Sequence, residues 1–369
     1  MVYREIPDDD LLARQWNELV WKMECPEVFY AYEWALAVSR AYRDSITPLL
    51  MLAYEQDSLV GVAALAIDRL QNEATFLAGN TADYCDFISR PEHRSDFVAL
   101  VFSELLTLKV RLLVLPNLPA DSATSRVLPL AAHMLEYSLF SRPAFQCAQV
   151  AFSSPEQREF TKHTVRRKQM LRRHLKGMAK IAPVEVRHLK SWEDIAAAMP
   201  KFEQAHVARF LSIGRVSNLA RAERRIFLTE LAKLLSWTGS MTLSSLNVGD
   251  EPVAWNYGFQ FAGSWFWYQP TFDSRFQRYY PGLCLLSKIV EEACDRPELS
   301  RVDLGLGTER YKERFATAVR ETLHVTITAS TARHVKEIVR YRAASIIKSS
   351  PPIEHYVRRF LGRTSAGEP

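Results

Sequence analysis

One order of elements, met twice along the 369 residues, constrains this fold more than anything else in the sequence. In the first half, Leu12, Trp16, Leu19 and Val20 recur at helical spacing and predict a helix over 8–22. Tyr30, Trp34 and Val38 predict a second over 30–42. A meander follows, with strands at 48–54, 59–70 and 74–78 parted by polar turns at Gln56-Asp57-Ser58 and Gln71-Asn72-Glu73. A helix over 95–108, a buried strand at 111–115, a helix over 121–136 and a strand at 145–152 complete the set. The second half repeats it. Helices occupy 192–210 and 222–236, the latter with Ile226, Phe227, Leu231, Leu234 and Leu235 as its apolar stripe. Strands at 241–247, 252–261 and 264–272, a helix from near Leu283, a strand at 302–305, a short helix at Tyr311 and a strand at 322–329 follow. Such repetition predicts a duplicated α/β unit. Its divisions are an N-terminal half at 1–154, a basic connecting helix at 155–183, a C-terminal half at 184–330 and a basic helical tail at 331–369.

Composition narrows the class. Nearly half of the residues are apolar and a quarter charged, which is globular. The opening MVYREIPDDD has no basic segment leading into an apolar core, which predicts no secretory signal. No apolar run approaches the roughly 20 residues of a membrane span. The five cysteines and nine histidines are scattered, with no CxxC, HxH or HxxxH pair. A reduced, cytoplasmic protein with no metal site is expected. The net charge of +5 is concentrated in two places. Residues 155–180 hold nine Lys/Arg against two acids, and 331–369 hold eight against three. In the connector, Leu171, Leu175 and Met178 form an apolar line while Arg166, Arg167, Lys168, Arg172, Arg173 and Lys176 cover the rest. In the tail Val335, Ile338, Val339 and Ile346 form the apolar side, ended by Pro351-Pro352.

The stretch from Trp265 to Lys312 holds the densest set of candidate residues. The aromatic run at 264–272 suits a strand buried on both faces. A basic loop with Arg275 and Arg278 then opens through Pro281-Gly282 into a helix. Free N–H groups at a helix start favour anions, and Gly282 admits a ligand to the backbone. An ordinary surface loop stopped by Pro-Gly fits the spacing equally well. Asp303 is the only charged residue of its strand, sharing a face with Gly305 and Gly307. It is a candidate general base, or a carboxylate paired with Lys312 or capping Thr308-Glu309. Tyr311 stands four residues from Phe315 and is a core candidate, with Lys312 on another side of that helix. In the first half, Asp83, Tyr84 and Asp86 crowd a loop after the third meander strand, as a polar-substrate site or as plain turn formers. The matching loop before the first-half helix has no glycine, so only the second half is equipped for phosphate.

The run AWNYGFQFAGSWFWYQPTFDSRFQRYYPG, followed by VDLGLGTERYKERF, resembles the CelD/FemAB-like branch of the GNAT acyltransferases. The features that carry the likeness are Phe272-Asp273, Pro281-Gly282, Asp303-Leu304-Gly305, Gly307 and Tyr311-Lys312. Tyr280 departs from it, since a Ser commonly precedes Pro-Gly. The resemblance implies tandem GNAT-like domains, each a mixed, mostly antiparallel sheet flanked by helices, and acyl-CoA as co-substrate. Its pyrophosphate would rest on Tyr280, Pro281, Gly282 and Leu283 beside Arg275 and Arg278. The pantetheine arm would run between the strands at 265–272 and 301–306. Asp303 and Asp83 are then candidate bases, with Lys312 holding an anionic group or pairing with Asp303. Tyr84, Asp86, Tyr268 and Tyr311 would touch the acceptor, an amine or hydroxyl of a sugar or polysaccharide precursor. Two rivals remain at this level. One is aminoacyl transfer from charged tRNA, suggested by the basic connector. The other is a non-catalytic scaffold, with weak membrane contact through the basic tail.

Overall fold

The computed structural model describes residues 1–349 apart from 69 and 308, with side chains given up to residue 342. The first half runs β1 (Val2–Tyr3), α1 (Asp10–Trp21), α2 (Tyr32–Ala41), β2 (Pro48–Glu55), β3 (Ser58–Asp68), β4 (Glu73–Phe76) and β5 (Ile88–Ser89). It continues with α3 (Arg94–Thr107), β6 (Leu112–Pro119), α4 (Ala123–Met134) and β7 (Ser138–Ala151). Two helices, α5 (Pro155–Arg167) and α6 (Gln169–Ala179), lead to β8 (Val184–Leu189), α7 (Trp192–Ser212) and α8 (Ala222–Trp237). Then come β9 (Met241–Val248), β10 (Glu251–Phe261), β11 (Ser264–Phe272), α9 (Pro281–Asp295), β12 (Arg301–Asp303), α10 (Arg310–Glu313), β13 (Ala318–Thr328) and α11 (Thr331–Ser349). No helix among the described residues is long and apolar enough to cross a membrane.

The expected repetition is present, with every expected strand found at its place or close to it. The two halves do not form separate sheets, however. All strands join one mixed, mostly antiparallel sheet in the order β1-β2-β3-β4-β6-β13-β7-β12-β11-β10-β9-β8, with β5 on β3. The halves exchange their last strands. β13 lies antiparallel between β6 and β7, and β7 pairs with β12. The parallel pairs are β4 with β6 and β11 with β12, one in each half. A chain cut after residue 154 is therefore expected to yield two insoluble pieces when each is expressed alone. Co-expression should restore one soluble complex, read by size-exclusion chromatography.

Period-2 burial follows from helices on both faces of the sheet. On β11, Trp265 and Trp267 pack with α9 in one apolar cluster while Phe266 joins the other. That is the strand buried on both faces that the aromatic run predicted. Leu285, Leu286, Ile289 and Val290 anchor α9 with no exposed surface. Each contributes about 1.5–3 kcal/mol by burial, which fixes the position of the helix start.

Four local expectations are corrected. The connector is two helices, not one, because Lys168 is extended at ψ 96. Its ammonium donates to the Arg314 carbonyl and stacks 3.8 Å over Phe315. β8 follows it, unforeseen in the sequence. Ile226 of α8 is 48% exposed, because Arg224 occupies the buried face with Phe227, Leu228 and Leu231. Val335 and Val339 of α11 are likewise exposed, since that helix meets the sheet through Tyr341 on Phe140 and Arg333 on Glu73. The Ile346 side chain, Thr308 and the tail beyond 349 lie outside the described residues.

Candidate functional site

β11 and β12 run side by side for three registered positions only: Ser264 with Arg301, Trp265 with Val302, Phe266 with Asp303. β11 then continues to Phe272 with β10 as its sole strand partner among the described residues. The chain after Asp303 turns away through Gly305 at φ 68 and Gly307 at φ 115, conformations natural to glycine. Two parallel strands thus part, leaving a wedge between Trp267–Phe272 and residues 305–312. The expected extension of the Asp303 strand through Gly307 is replaced by this turn.

Asp83 reaches the wedge from the loop after β4. It sits so close over Gly305 that a Cβ there would meet its Oδ2 at 2.4 Å. Burial pushes its carboxyl up to about 7 from an ordinary 3.8, reinforced by Asp303 and opposed by Lys312, the Leu306 N–H and Arg224. Asp303 is a different kind of acid. It is 1% exposed and accepts from the Tyr84 hydroxyl, the Gln149 amide and the Gly305 N–H, each at 2.8 Å. Among the described residues its partners are these three and not Lys312, while the alternative of a cap at Thr308-Glu309 falls on Thr308, outside the described residues. Lys312, 4% exposed, donates instead to the carbonyls of Leu306 and Gly305 and pairs with Glu309 at 2.9 Å. The Gly305–Leu306 segment is therefore gripped by Asp303, Lys312 and Asp83 together.

The remaining first-half candidates divide. Tyr84 is fully buried, bonded to Asp303 and covered by Arg320 at 4.6 Å. Asp86 faces away from solvent, held by Arg94 at 3.2 Å and the Phe87 N–H at 2.7 Å. Both brace the loop that presents Asp83. Tyr268 is half-buried on β11, donating to the Thr81 carbonyl and accepting from Arg224 at 2.8 Å. The Tyr311 hydroxyl accepts from Trp267 Nε1 at 3.2 Å across the wedge.

At the helix start, Arg275 is committed to Asp273 at 3.0 Å and to Glu251. Arg278 folds onto the Tyr279 ring at 4.7 Å and its hydroxyl. Tyr280 adopts φ 48, a left-handed conformation costing a side-chain-bearing residue of order 1 kcal/mol. Its ring meets that of His174 at a tilt, with centroids 5.1 Å apart. Pro281 follows with no N–H. Cys284 is the first helix residue whose N–H finds a backbone acceptor, Tyr280 at 3.1 Å, so the Gly282 and Leu283 N–H groups are free for an anion. A Cβ on Gly282 would meet only Phe272, at an ordinary 3.5 Å. Beside this start lies a groove of about 760 Å³ lined by Gln169, Arg172, Arg173, His174, Lys176, Gly177, Lys180, Arg278 and Tyr279, with no acid. Free N–H groups and a cationic groove fit a diphosphate, although Arg275 is already neutralised. No group of three or more metal-ligating side chains occurs among the described residues.

No sequence pattern points to Gln149, Glu27 and Arg320, which act across the exchanged strands. Arg209 and Arg224 were also missed, yet a signal existed. Ile195, Met199, Phe202, His206 and Arg209 continue one helical stripe, as do Arg224, Phe227, Leu228 and Leu231. A cation in register with a buried stripe faces inward.

Residues 165–313 match the acetyltransferase (GNAT) domain family. No curated protein matches the chain. Among solved structures, FemX superposes with a TM-score of 0.60 at 9% identity, over 85% of this chain and 95% of its own. The C-terminal domain of a putative lysylphosphatidylglycerol synthetase from Agrobacterium fabrum gives 0.55 at 9% identity, over 91% and 95%. L-PGS from Bacillus licheniformis gives 0.53 at 11% identity, over 92% and 98%. At such identities the likeness is one of fold. The chain shares its fold with these proteins over both halves, and the part of it that matches the GNAT domain family is residues 165–313.

Proposed function

We propose that this GNAT-fold chain transfers an acyl group from acyl-CoA to an amine or hydroxyl of a sugar-type acceptor. The observation that carries the reading is the wedge: an open β11 edge leads from the free N–H groups of α9 to Asp83. The donor's diphosphate rests on the Gly282 and Leu283 N–H groups, with Arg278 and the basic groove alongside. Its thioester arm lies along Trp267–Phe272, where unpaired strand amides can bind amide groups. The acceptor's lone pair attacks the thioester carbonyl carbon and forms a C–N or C–O bond. The oxygen of that carbonyl becomes an oxyanion, for which backbone N–H groups of the wedge are the available donors. Collapse breaks the C–S bond and releases the thiolate, while Asp83 takes the proton lost by the acceptor. Asp303 and Lys312 hold the segment under Asp83 and exchange no proton.

In a thermal-shift assay acetyl-CoA or a longer acyl-CoA is expected to raise Tm, and thiol release should appear with amino-sugar acceptors. No stabilisation by any acyl-CoA would remove this donor. The basic groove favours a second reading, an aminoacyl-tRNA donor. Tyr279, Tyr280 and His174 add rings to its cations, which suits stacked nucleotides. That reading requires salt-dependent tRNA binding that Arg172→Ala and Arg173→Ala abolish.

A further inference from the structure

The turn between α7 and α8 holds three large apolar side chains out to solvent. Leu211 is 63% exposed, Ile213 40% and Val216 81%. Backbone bonds draw the segment into one knot. The N–H groups of Ile213 and Arg215 bond the Phe210 carbonyl at 3.2 and 2.9 Å, and that of Gly214 bonds the Leu211 carbonyl at 3.0 Å. Gly214, at φ 70, supplies the left-handed step that lets the helix end in this way. The turn is also anchored from below. Buried Ser217 lies 2.8 Å from Nδ1 of buried His206 and accepts the Leu219 N–H at 3.0 Å, while Leu219 has no exposed surface. Ser217 and Leu219 thus enter the core, and the three apolar side chains before them are kept outside it.

Charge decides what such a tip can meet. Residues 204–222 contain no acid. Arg215 and Arg221 are exposed, and neither forms an ion pair among the described residues. Arg225 is turned inward, onto the carbonyls of Leu219 and Ala220. A protein interface of ordinary size buries about 800 Å² on each partner, more than three side chains on one turn can offer. A bilayer surface asks for less: a few apolar side chains that reach the acyl boundary, and cations at the level of the headgroups. Anionic headgroups complement Arg215 and Arg221, and neutral ones do not. The turn also stands beside the wedge. Arg209, two residues before Leu211, donates to the Pro270 carbonyl at 3.3 Å and covers the Phe272 ring at 4.6 Å, at the outer end of β11.

We propose that the α7–α8 turn is a docking tip for an anionic lipid surface. Leu211, Ile213 and Val216 enter the boundary between headgroups and acyl chains, while Arg215 and Arg221 contact the headgroups. Through Arg209, the docked turn brings the outer end of β11 to the lipid surface. The docking does not rest on the acyl-transfer reading and is tested without donor or acceptor. The basic tail is a separate surface, since α11 meets the sheet at Phe140 of β7 and Glu73 of β4 and not at β11.

The test is co-sedimentation of the full chain with vesicles of phosphatidylcholine alone, or of phosphatidylcholine with one-third phosphatidylglycerol. The chain is expected to bind the anionic vesicles about tenfold or more tighter, from two cations near the surface. That binding should weaken as salt rises. Leu211→Ser with Val216→Ser should weaken it about tenfold or more, with an unchanged melting curve because both positions are exposed. Arg215→Gln with Arg221→Gln should bring it down to the level of the neutral vesicles. Val216→Trp should strengthen it, because an indole ring favours the headgroup boundary, and a misfolded variant could not show that gain. Val335→Ser with Arg340→Gln, on α11, should keep the preference for anionic vesicles. No binding to either vesicle, equal binding to both, or binding lost only in the α11 variant would overturn the docking tip. So would a chain that ignores vesicles but dimerises through Leu211 and Val216, read by size-exclusion chromatography of the same variants. Vesicle binding by a chain that no acyl-CoA stabilises would instead overturn the donor and leave the docking tip standing.

Discussion

Asp83→Asn is expected to lower kcat by about 10²–10⁴-fold, the usual worth of a positioned general base. Wild-type kcat should rise with pH along a limb centred near 7, because burial pushes the Asp83 carboxyl up to about 7 and only the carboxylate takes a proton. The Asn variant should lack that limb. Its stability should move the other way. The unfolded chain ionises Asp83 near 3.8, while the folded chain keeps the proton until about 7. Wild-type stability from this group is therefore full below 3.8 and lost as pH rises through 7. Asn does not titrate, so the variant should melt higher than wild type at pH 8 and match it more closely at acid pH. A variant that is less active and more stable separates a catalytic carboxylate from a structural one. Unchanged kcat with the limb intact would clear Asp83 of the role.

Arg320→Met should destabilise the fold by about 3–5 kcal/mol, the cost of stripping one partner from a buried ion pair. Arg320, on the exchanged strand β13, grips Glu27 of the first half, whose carboxylate has no exposed surface. It also reaches Asp121 at 3.2 Å and covers Tyr84. Burial pushes Glu27 up to about 7 against the pull of Arg320 and Arg301, so without Arg320 its charge stands nearly alone. Arg301 remains, at 3.5 Å, but from a more exposed position. Glu27→Leu combined with Arg320→Met should recover most of the loss, since an apolar pair of similar volume is often neutral. Urea denaturation of the two single variants and the double variant measures this coupling. A loss near zero in Arg320→Met would mean that the strand exchange is held by its ladder alone.

Much of this was legible from local pattern. The helices and strands follow apolar periods of 3.6 and 2, which depend on neighbours in sequence. The Pro-Gly helix start was legible for the same reason, as was the acid at Asp303. The partners of that acid were not legible. Tyr84 and Gln149 stand 219 and 154 residues away, and no spacing rule connects them. Arg275 has one neutralising partner two residues before it, Asp273, which the sequence places within reach, and a second, Glu251, which only the turn into β10 brings to it. Arg209 and Arg224 were readable as inward-facing cations from their helical register.

The sequence by itself determined the duplicated α/β unit, the strand buried on both faces and the helix start with free N–H groups. Each depends on short-range periodicity or on the backbone chemistry of Pro and Gly. Only the tertiary structure decided that the halves exchange strands, that Asp303 is a brace and that Asp83 is the acid at the wedge. Those outcomes depend on which distant groups share a low-dielectric interior. There a carboxylate with three donors is fixed, and one stripped of water, with a second acid nearby, keeps its proton to near neutrality.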